Sequence, residues 1–166
     1  EGVSLYSAFA VLYSFQLRNL LKGIGQQMKW SVRDESLHSK MGCQLFRQMC
    51  EEDESLLETC REDIIVAATT MLVAEENYID KMFEMGDVEG IKAYDLKQFI
   101  RKRLNEKLAE LGYLDLGQYF AYDEDAESNL NWFKHLTGGV THTDFFAIRP
   151  TDYSKAGEGE DFEDMW

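Results

Sequence analysis

Glu35 and His38 stand three residues apart in a segment that is otherwise rich in apolar residues. On a helix, positions i and i+3 lie on one face about one turn apart, so this carboxylate and this imidazole could bind the same metal ion. Helical bundles that bind two iron or manganese ions use two Glu-x-x-His motifs per site. This one motif therefore predicts half of a di-metal site.

Glu1 is the candidate for a third ligand. A bundle site of this kind also takes a single carboxylate from the helix that precedes each Glu-x-x-His motif, and Glu1 heads the apolar segment before Glu35. The alternative is a frayed, solvated first residue whose own amino group would repel a metal cation. We predict that Glu1, Glu35 and His38 bind metal.

The Glu-x-x-His motif belongs to a cluster of ionisable residues, Arg33, Asp34, Glu35 and His38. Apolar residues surround this cluster in the sequence: Met28, Trp30, Val32, Leu37, Met41 and Leu45. We therefore expect several ionisable groups to be buried together, which is costly unless a metal or ion pairs supply compensating charge. The alternative is a structural cluster in which Asp34 is the buried partner of Arg33.

The elements that would position these residues are helices. The sequence has one proline, long stretches of good helix formers and almost no alternating strand pattern, which predicts an all-α fold. Gly23 and Gly25, the acidic cluster 51–54 and the segment 86–90 separate the predicted helices, and Gly112 ends the fourth. The predicted helices cover about residues 1–22, 26–52, 54–85 and 91–111. On the last of these, Arg101, Lys102 and Arg103 are expected to form a solvated stripe.

Charge and cysteine content exclude several classes of protein. A formal charge of -14 would repel a phosphate backbone, so nucleic-acid binding is not expected. Cys43, Cys50 and Cys60 lack the spacing of a zinc site or a redox dithiol, which favours a reducing cytoplasm. The uncharged run 2–17 is too short to span a bilayer and lacks the basic start of a signal peptide, so the chain is expected to begin mid-domain.

The pattern becomes irregular after Gly112, with a short helix predicted near 129–136. The last ten residues hold five acids and no base, as expected of a flexible tail. We predict one globular domain over residues 1–143 and a tail over 144–166. Large apolar residues among the tail acids, Phe162, Met165 and Trp166, indicate a peptide that orders on a partner rather than a solubilising tail.

The segments EGVSLY at 1–6 and RDESLH at 33–38 resemble the paired metal motifs of class I ribonucleotide reductase small subunits. The resemblance extends over essentially the whole chain. It implies a ferritin-like helical bundle in which Glu1, Glu35 and His38 are ligands of a di-metal centre, Fe/Fe or Mn/Fe. It also implies that an N-terminal half supplies the other ligands, that this chain alone is inactive, and that complete subunits form a homodimer.

The same resemblance implies a route for a radical to a large subunit that reduces ribonucleotides to deoxyribonucleotides. Asp34 and Tyr153 match radical-transfer positions, and Phe9 would belong to an apolar shell around the metals. Many relatives carry a glutamate six residues before the tail tyrosine, where this chain has Ala147, so the proton acceptor for Tyr153 is not identified. Residues 160–166 resemble the peptide that docks on the large subunit.

Two other functions are compatible with the same motif. One is a different ferritin-like di-metal protein that carries out its own oxidation, which would not need Tyr153 or the apolar residues of the tail. The other is a metal-free interaction protein in which the motif is a structural relic and the tail binds a partner.

Overall fold

The computed structural model of the protein describes residues 2–133. Within that range the chain is all-α, as predicted, and its only strand-like pairing is an isolated bridge between Val88 and Ile91. The helices are α1 (Tyr6–Leu17), α2 (Lys22–Glu52), α3 (Ser55–Thr59), α4 (Arg61–Met82), α5 (Ala93–Leu111), a 3-10 helix (Leu114–Phe120) and α6 (Glu124–Ser128). None of these helices has the length and apolarity needed to cross a membrane.

The break between α1 and α2 lies earlier than predicted. Gly23 and Gly25 are inside α2, and the chain turns at 18–21, where Asn19 and Leu21 adopt left-handed conformations with φ of 61° and 48°. At Gly25 a Cβ would collide with the side chain of Gln16. This glycine therefore lies where Gln16 of α1 packs on α2, and it does not end a helix.

The predicted third helix is interrupted. Residues 54–85 form the short α3 and the longer α4, with Cys60 between them. Asp53 favours the start of a new helix after the end of α2. Its carboxylate accepts hydrogen bonds from the backbone N–H of Ser55 at 3.0 Å and from the Ser55 hydroxyl at 2.6 Å.

α5 ends at Gly112, as predicted. Gly112 has a φ of 106°, a conformation that residues with a Cβ rarely adopt. Its N–H donates to the carbonyl of Ala109 at 3.0 Å, and the N–H of Tyr113 donates to that of Leu108 at 2.8 Å. Two carbonyls of the last turn are satisfied in this way.

The core is arranged around α5. This helix packs against α1, α2, α4, α6 and the 3-10 helix. Its buried apolar side chains join those of the surrounding helices in one cluster, which includes Tyr6, Phe9, Leu72, Ile79, Leu96, Phe99, Ile100, Leu104, Leu108, Leu116, Phe120 and Phe133. Burial of this cluster is the main contribution that the described residues make to stability.

One face of α2 is apolar and exposed. Leu37, Met41, Leu45 and Met49 are 52%, 59%, 61% and 48% exposed. They follow one another at intervals of four residues, so they lie along one side of the helix. We call these four residues the apolar stripe. No described helix covers it.

Candidate metal centre

Glu35 and His38 are brought together on α2 as the motif predicts. Nδ1 of His38 lies 3.5 Å from Oε2 of Glu35, and the two side chains are 56% and 24% exposed. Two donor atoms at this separation can bind one metal ion, because ligand bonds to such ions are about 2.1 Å long. The two predicted ligands are therefore adjacent, and their binding of a metal stays a prediction.

Oε2 of Glu35 is buried and forms no hydrogen bond within residues 2–133. A buried carboxylate oxygen without a donor is unfavourable by about 1–3 kcal/mol or more. A cation at this atom would remove the penalty. The residues present therefore fit a metal ion beside Glu35 and His38.

The expectation that the whole ionisable cluster is buried is wrong for the described chain. Asp34 and His38 are exposed, while Arg33 is partly buried. The physical reason is that the apolar neighbours Leu37 and Met41 are exposed as well. Apolar residues that are close in sequence bury a charged side chain only where another helix covers that face. An exposed Asp34 also excludes its alternative role as a buried partner of Arg33 in this structure.

Glu1, the third predicted ligand, lies outside the described residues. Within residues 2–133, no group of three or more His, Cys, Asp and Glu side chains could hold a metal ion. The residue bonded to Glu1 does have a defined position. A Cβ on Gly2 would collide with the side chain of Ser39, one residue after His38. The backbone at Gly2 therefore lies directly against the α2 turn that carries the two donors.

Tyr6 connects α1 to the same turn of α2. Its hydroxyl and that of Ser36 are joined by a hydrogen bond of 2.7 Å, and it also donates to the carbonyl of Val32 at 3.4 Å. Tyr6 is fully buried, and Ser36 is the residue after Glu35. Tyr6 is not among the predicted site residues, although it lies five residues after Glu1 on an uncharged helix.

Arg103 contradicts the predicted solvated stripe on α5. Its Cζ lies 3.3 Å from the centroid of the Tyr6 ring, and its Nε donates to the carbonyl of Gly2 at 2.7 Å. Burial lowers the pKa of the Arg103 guanidinium, and the nearby Tyr6 is the largest opposing influence. Lys102 forms an ion pair with the buried Glu127 at 3.1 Å. Arg101 forms an ion pair with Glu76 at 2.6 Å. The stripe is a set of interhelix contacts.

A second buried polar contact joins α1 to α4. The hydroxyl of Ser7 donates to a carboxylate oxygen of Glu75 at 2.5 Å, and both residues are buried. With Tyr6 facing α2 and Ser7 facing α4, α1 is fixed on two sides by hydrogen bonds. The helix that follows Gly2 is therefore held in register with α2.

The model of one protein family, described as ribonucleotide reductase, small chain, matches residues 1–119. The chain belongs to this family. Its all-α structure agrees with the ferritin-like bundle expected of the small chain. No solved structure is a significant match to the chain.

Curated small chains are similar along almost all of this chain. A probable ribonucleoside-diphosphate reductase small subunit of Invertebrate iridescent virus 3 is 34% identical over 161 residues, covering 94% of this chain and 40% of that protein. Its counterpart in Invertebrate iridescent virus 6 is 28% identical over 188 residues, covering 100% of this chain and 51% of that protein. A ribonucleoside-diphosphate reductase subunit beta of Chlamydia pneumoniae is 24% identical, covering 95% of this chain and 43% of that protein. The chain thus spans about half, or less, of the length of these relatives.

The remaining predicted site residues lie partly inside and partly outside the described range. Phe9 is buried in α1, with its ring 5.6 Å from that of Tyr6. Its place in a shell around the metals stays a prediction. Residues 134–166 lie outside the described range, and this segment includes the radical-transfer candidate and the docking candidates Tyr153, Phe162, Met165 and Trp166.

Proposed function

We propose that this chain is the C-terminal half of a ribonucleoside-diphosphate reductase small subunit. It would help to form a di-metal centre that activates O2 and stores a radical, which passes to the large subunit for the reduction of ribonucleotides to deoxyribonucleotides. One observation carries this proposal: the buried Oε2 of Glu35, without a hydrogen bond from any described residue, lies 3.5 Å from Nδ1 of His38.

Glu35 and His38 would hold the metal together with Glu1. His38 binds a cation only through an unprotonated ring nitrogen, so Nδ1 must give up any proton it carries before the metal is bound. The negative carboxylates of Glu1 and Glu35 would offset the charge of the ions. When bound, an Fe/Fe or Mn/Fe pair supplies the redox chemistry with O2 that amino-acid side chains lack.

Other residues of the chain would control access to the site. Phe9, buried beside Tyr6 on α1, would exclude water from the oxidised centre. Asp34 is exposed and adjacent to Glu35, so its carboxylate would connect the centre to the protein surface. At Tyr153 the phenol would give up one electron while its proton moves to a nearby acceptor, and it would regain both when the radical returns.

The proposed partners are those that the resemblance to small subunits implies. An N-terminal half of the same subunit would supply the remaining ligands, and complete subunits would form a homodimer. Phe162, Met165 and Trp166, at the acidic end of the chain, would dock on the large subunit. The apolar stripe supports the first of these partners, since a face of this kind is stable in water only when another element covers it.

Metal content tests the proposal. We expect the small subunit containing this chain to hold two metal ions per complete site. Glu35→Ala and His38→Ala should each remove at least one ion, because each variant deletes a ligand. The measurement is metal analysis of purified protein after loading with Fe(II), or with Mn(II) and Fe(II).

Glu52→Ala is the matched control, because Glu52 is exposed at the end of the same helix and should leave the metal content unchanged. If both ligand variants keep two metal ions per complete site, Glu35 and His38 are not metal ligands. A metal-free wild-type protein would favour the metal-free interaction protein instead.

A further inference from the structure

Tyr6 is an oxidisable side chain in contact with the part of α2 that carries the predicted ligands. Its hydroxyl is hydrogen-bonded to that of Ser36 at 2.7 Å, and Ser36 directly follows Glu35. The tyrosine is fully buried, with 0% of its surface exposed. A tyrosine that loses one electron must also release its phenol proton, because the phenol radical cation is a strong acid. The groups around Tyr6 therefore decide how readily it is oxidised.

The hydrogen-bond partners of the Tyr6 hydroxyl are poor proton acceptors. They are the Ser36 hydroxyl and, at 3.4 Å, the backbone carbonyl of Val32. Proton acceptors in proteins are usually carboxylates or imidazoles, and none of these in the described part of the chain is hydrogen-bonded to Tyr6. Burial also keeps water from taking the proton. Loss of an electron would therefore leave a positive charge on the Tyr6 ring.

A cation already lies over the same ring. Cζ of Arg103 is 3.3 Å from the centroid of the Tyr6 ring. Nε of Arg103 donates to the carbonyl of Gly2 at 2.7 Å, which helps to hold the side chain in place. A guanidinium stays protonated at physiological pH, and its charge is poorly screened beside a buried ring. It attracts the neutral ring but repels a ring that has become positive. Arg103 thus opposes the loss of an electron from Tyr6.

Tyr94 provides a contrast within the same chain. Its hydroxyl donates to the carboxylate of Asp123 at 3.2 Å, and the residue is 55% exposed. When Tyr94 is oxidised, its proton can pass to this carboxylate or to water. None of the cation contacts with aromatic rings in the described residues involves Tyr94. Oxidation of Tyr94 is therefore not opposed in the way that oxidation of Tyr6 is.

We propose that Arg103 keeps Tyr6 in its reduced phenol form, by holding a positive charge over a buried ring that lacks a proton acceptor. The step that it opposes is the transfer of one electron from the ring to an oxidant, which is thereby reduced by one electron, with loss of the phenol proton. The biological oxidant rests on the proposed function, since an oxidised metal centre at Glu35 and His38 would lie close to Tyr6. Such a centre would then keep its oxidising equivalent for the large subunit.

Flash oxidation of the metal-free, full-length small subunit tests the inference. Light-generated ruthenium(III) tris(bipyridine) removes single electrons from tyrosines, and the radicals are trapped by freezing and counted by electron paramagnetic resonance. The part of the signal that Tyr6→Phe removes is the Tyr6 radical yield. This yield should be small in the wild type and about ten times larger in Arg103→Gln, because an unscreened positive charge is lost from beside the ring.

Three further variants complete the test. Arg103→Lys retains a positive charge and should keep the Tyr6 radical yield small. Arg101→Gln removes an arginine of the same helix that pairs with Glu76, and it should leave the yield unchanged. Tyr94→Phe should lower the total signal, which shows that the oxidant reaches tyrosines with a proton acceptor.

Two outcomes would overturn the inference: equal Tyr6 radical yields in the wild type and Arg103→Gln, or a large yield in Arg103→Lys. Circular dichroism establishes that each variant is folded. If Arg103→Gln is not folded, the wild type still decides, because a Tyr6 radical yield as large as that of Tyr94 would contradict the inference. Since no metal is used, failure of the subunit to bind Fe(II) would remove the proposed function and leave this result unaffected.

Discussion

At the residue scale, the proposed metal site depends most on one oxygen atom. Oε2 of Glu35 is withdrawn from water without a hydrogen bond from residues 2–133, while His38 stands 3.5 Å away with more than half of its side chain exposed. This asymmetry agrees with the proposed half-site, because one donor is withdrawn from water and the other is accessible to solvent.

The motif sufficed to predict that Glu35 and His38 are adjacent, because their distance follows from helix geometry alone. Their burial was predicted wrongly, because burial depends on what covers α2. The parts played by Tyr6 and Arg103 could not be predicted, since nothing local indicates a pairing of Arg103 with Gly2 101 residues away. A run of three basic residues on a helix usually indicates a solvated face.

Tyr153 carries a prediction at this scale. We expect Tyr153→Phe to retain the metals and the binding of the large subunit but to lose ribonucleotide reduction, because phenylalanine has no hydroxyl proton to release on oxidation. Tyr119→Phe is the control, since Tyr119 is an exposed tyrosine of the 3-10 helix. Turnover assays with the large subunit give the readout. Near-normal turnover in Tyr153→Phe would exclude it as the relay.

At the scale of elements, the sequence predicts the interiors of helices better than their ends. The body of α5 and its end at Gly112 were predicted correctly because the apolar periodicity and the glycine agree. The break between α1 and α2 was misplaced, since the chain turns at Asn19 and Leu21 rather than at the glycines. Tertiary packing matters there, because Gly25 lies against the side chain of Gln16 on α1.

The apolar stripe on α2 leads to a prediction about stability. The double variant Met41→Gln, Leu45→Gln should lower the unfolding free energy of the complete subunit by about 3 kcal/mol or more, since full burial of each such side chain contributes about 1.5–3 kcal/mol. Denaturant unfolding measures the difference. In this chain alone the same change should be nearly neutral, because both side chains are already exposed.

The control for the stripe is Met85→Gln, Leu114→Gln. These two residues are also exposed, but they lie in a loop and at the start of the 3-10 helix, outside the apolar stripe. We expect the control to leave the complete subunit about as stable as the wild type. Equal losses in the two double variants would contradict the view that another part of the subunit covers the stripe.

At the scale of the whole molecule, α5 organises the fold, and α2 lies at its margin. Most described helices pack on α5, whereas only Gly25, Gln26, Val32 and Cys50 are buried among the 31 residues of α2. The chain also spans only 40% to 51% of its two viral relatives. We propose that the open side of this long helix faces the rest of a small subunit.

The acidic end of the chain gives a prediction at the molecular scale. Removal of residues 160–166 should abolish binding of the large subunit while leaving the metal content unchanged, because docking and oxygen chemistry are assigned to different segments. Binding can be measured by surface plasmon resonance. As a control, Asp161→Asn with Asp164→Asn should weaken binding less than Phe162→Ala with Trp166→Ala. Unchanged affinity after the deletion would remove the docking proposal.

The contact between Gly2 and Arg103 also sets an order of events during synthesis. A ribosome adds roughly 5–20 residues per second, so Arg103, 101 residues after Gly2, leaves it several seconds later. Glu35 and His38 emerge within that interval, before the hydrogen bond between Gly2 and Arg103 can form. The contact that joins Gly2 to α5 is therefore made only after the whole of α2 has been synthesised.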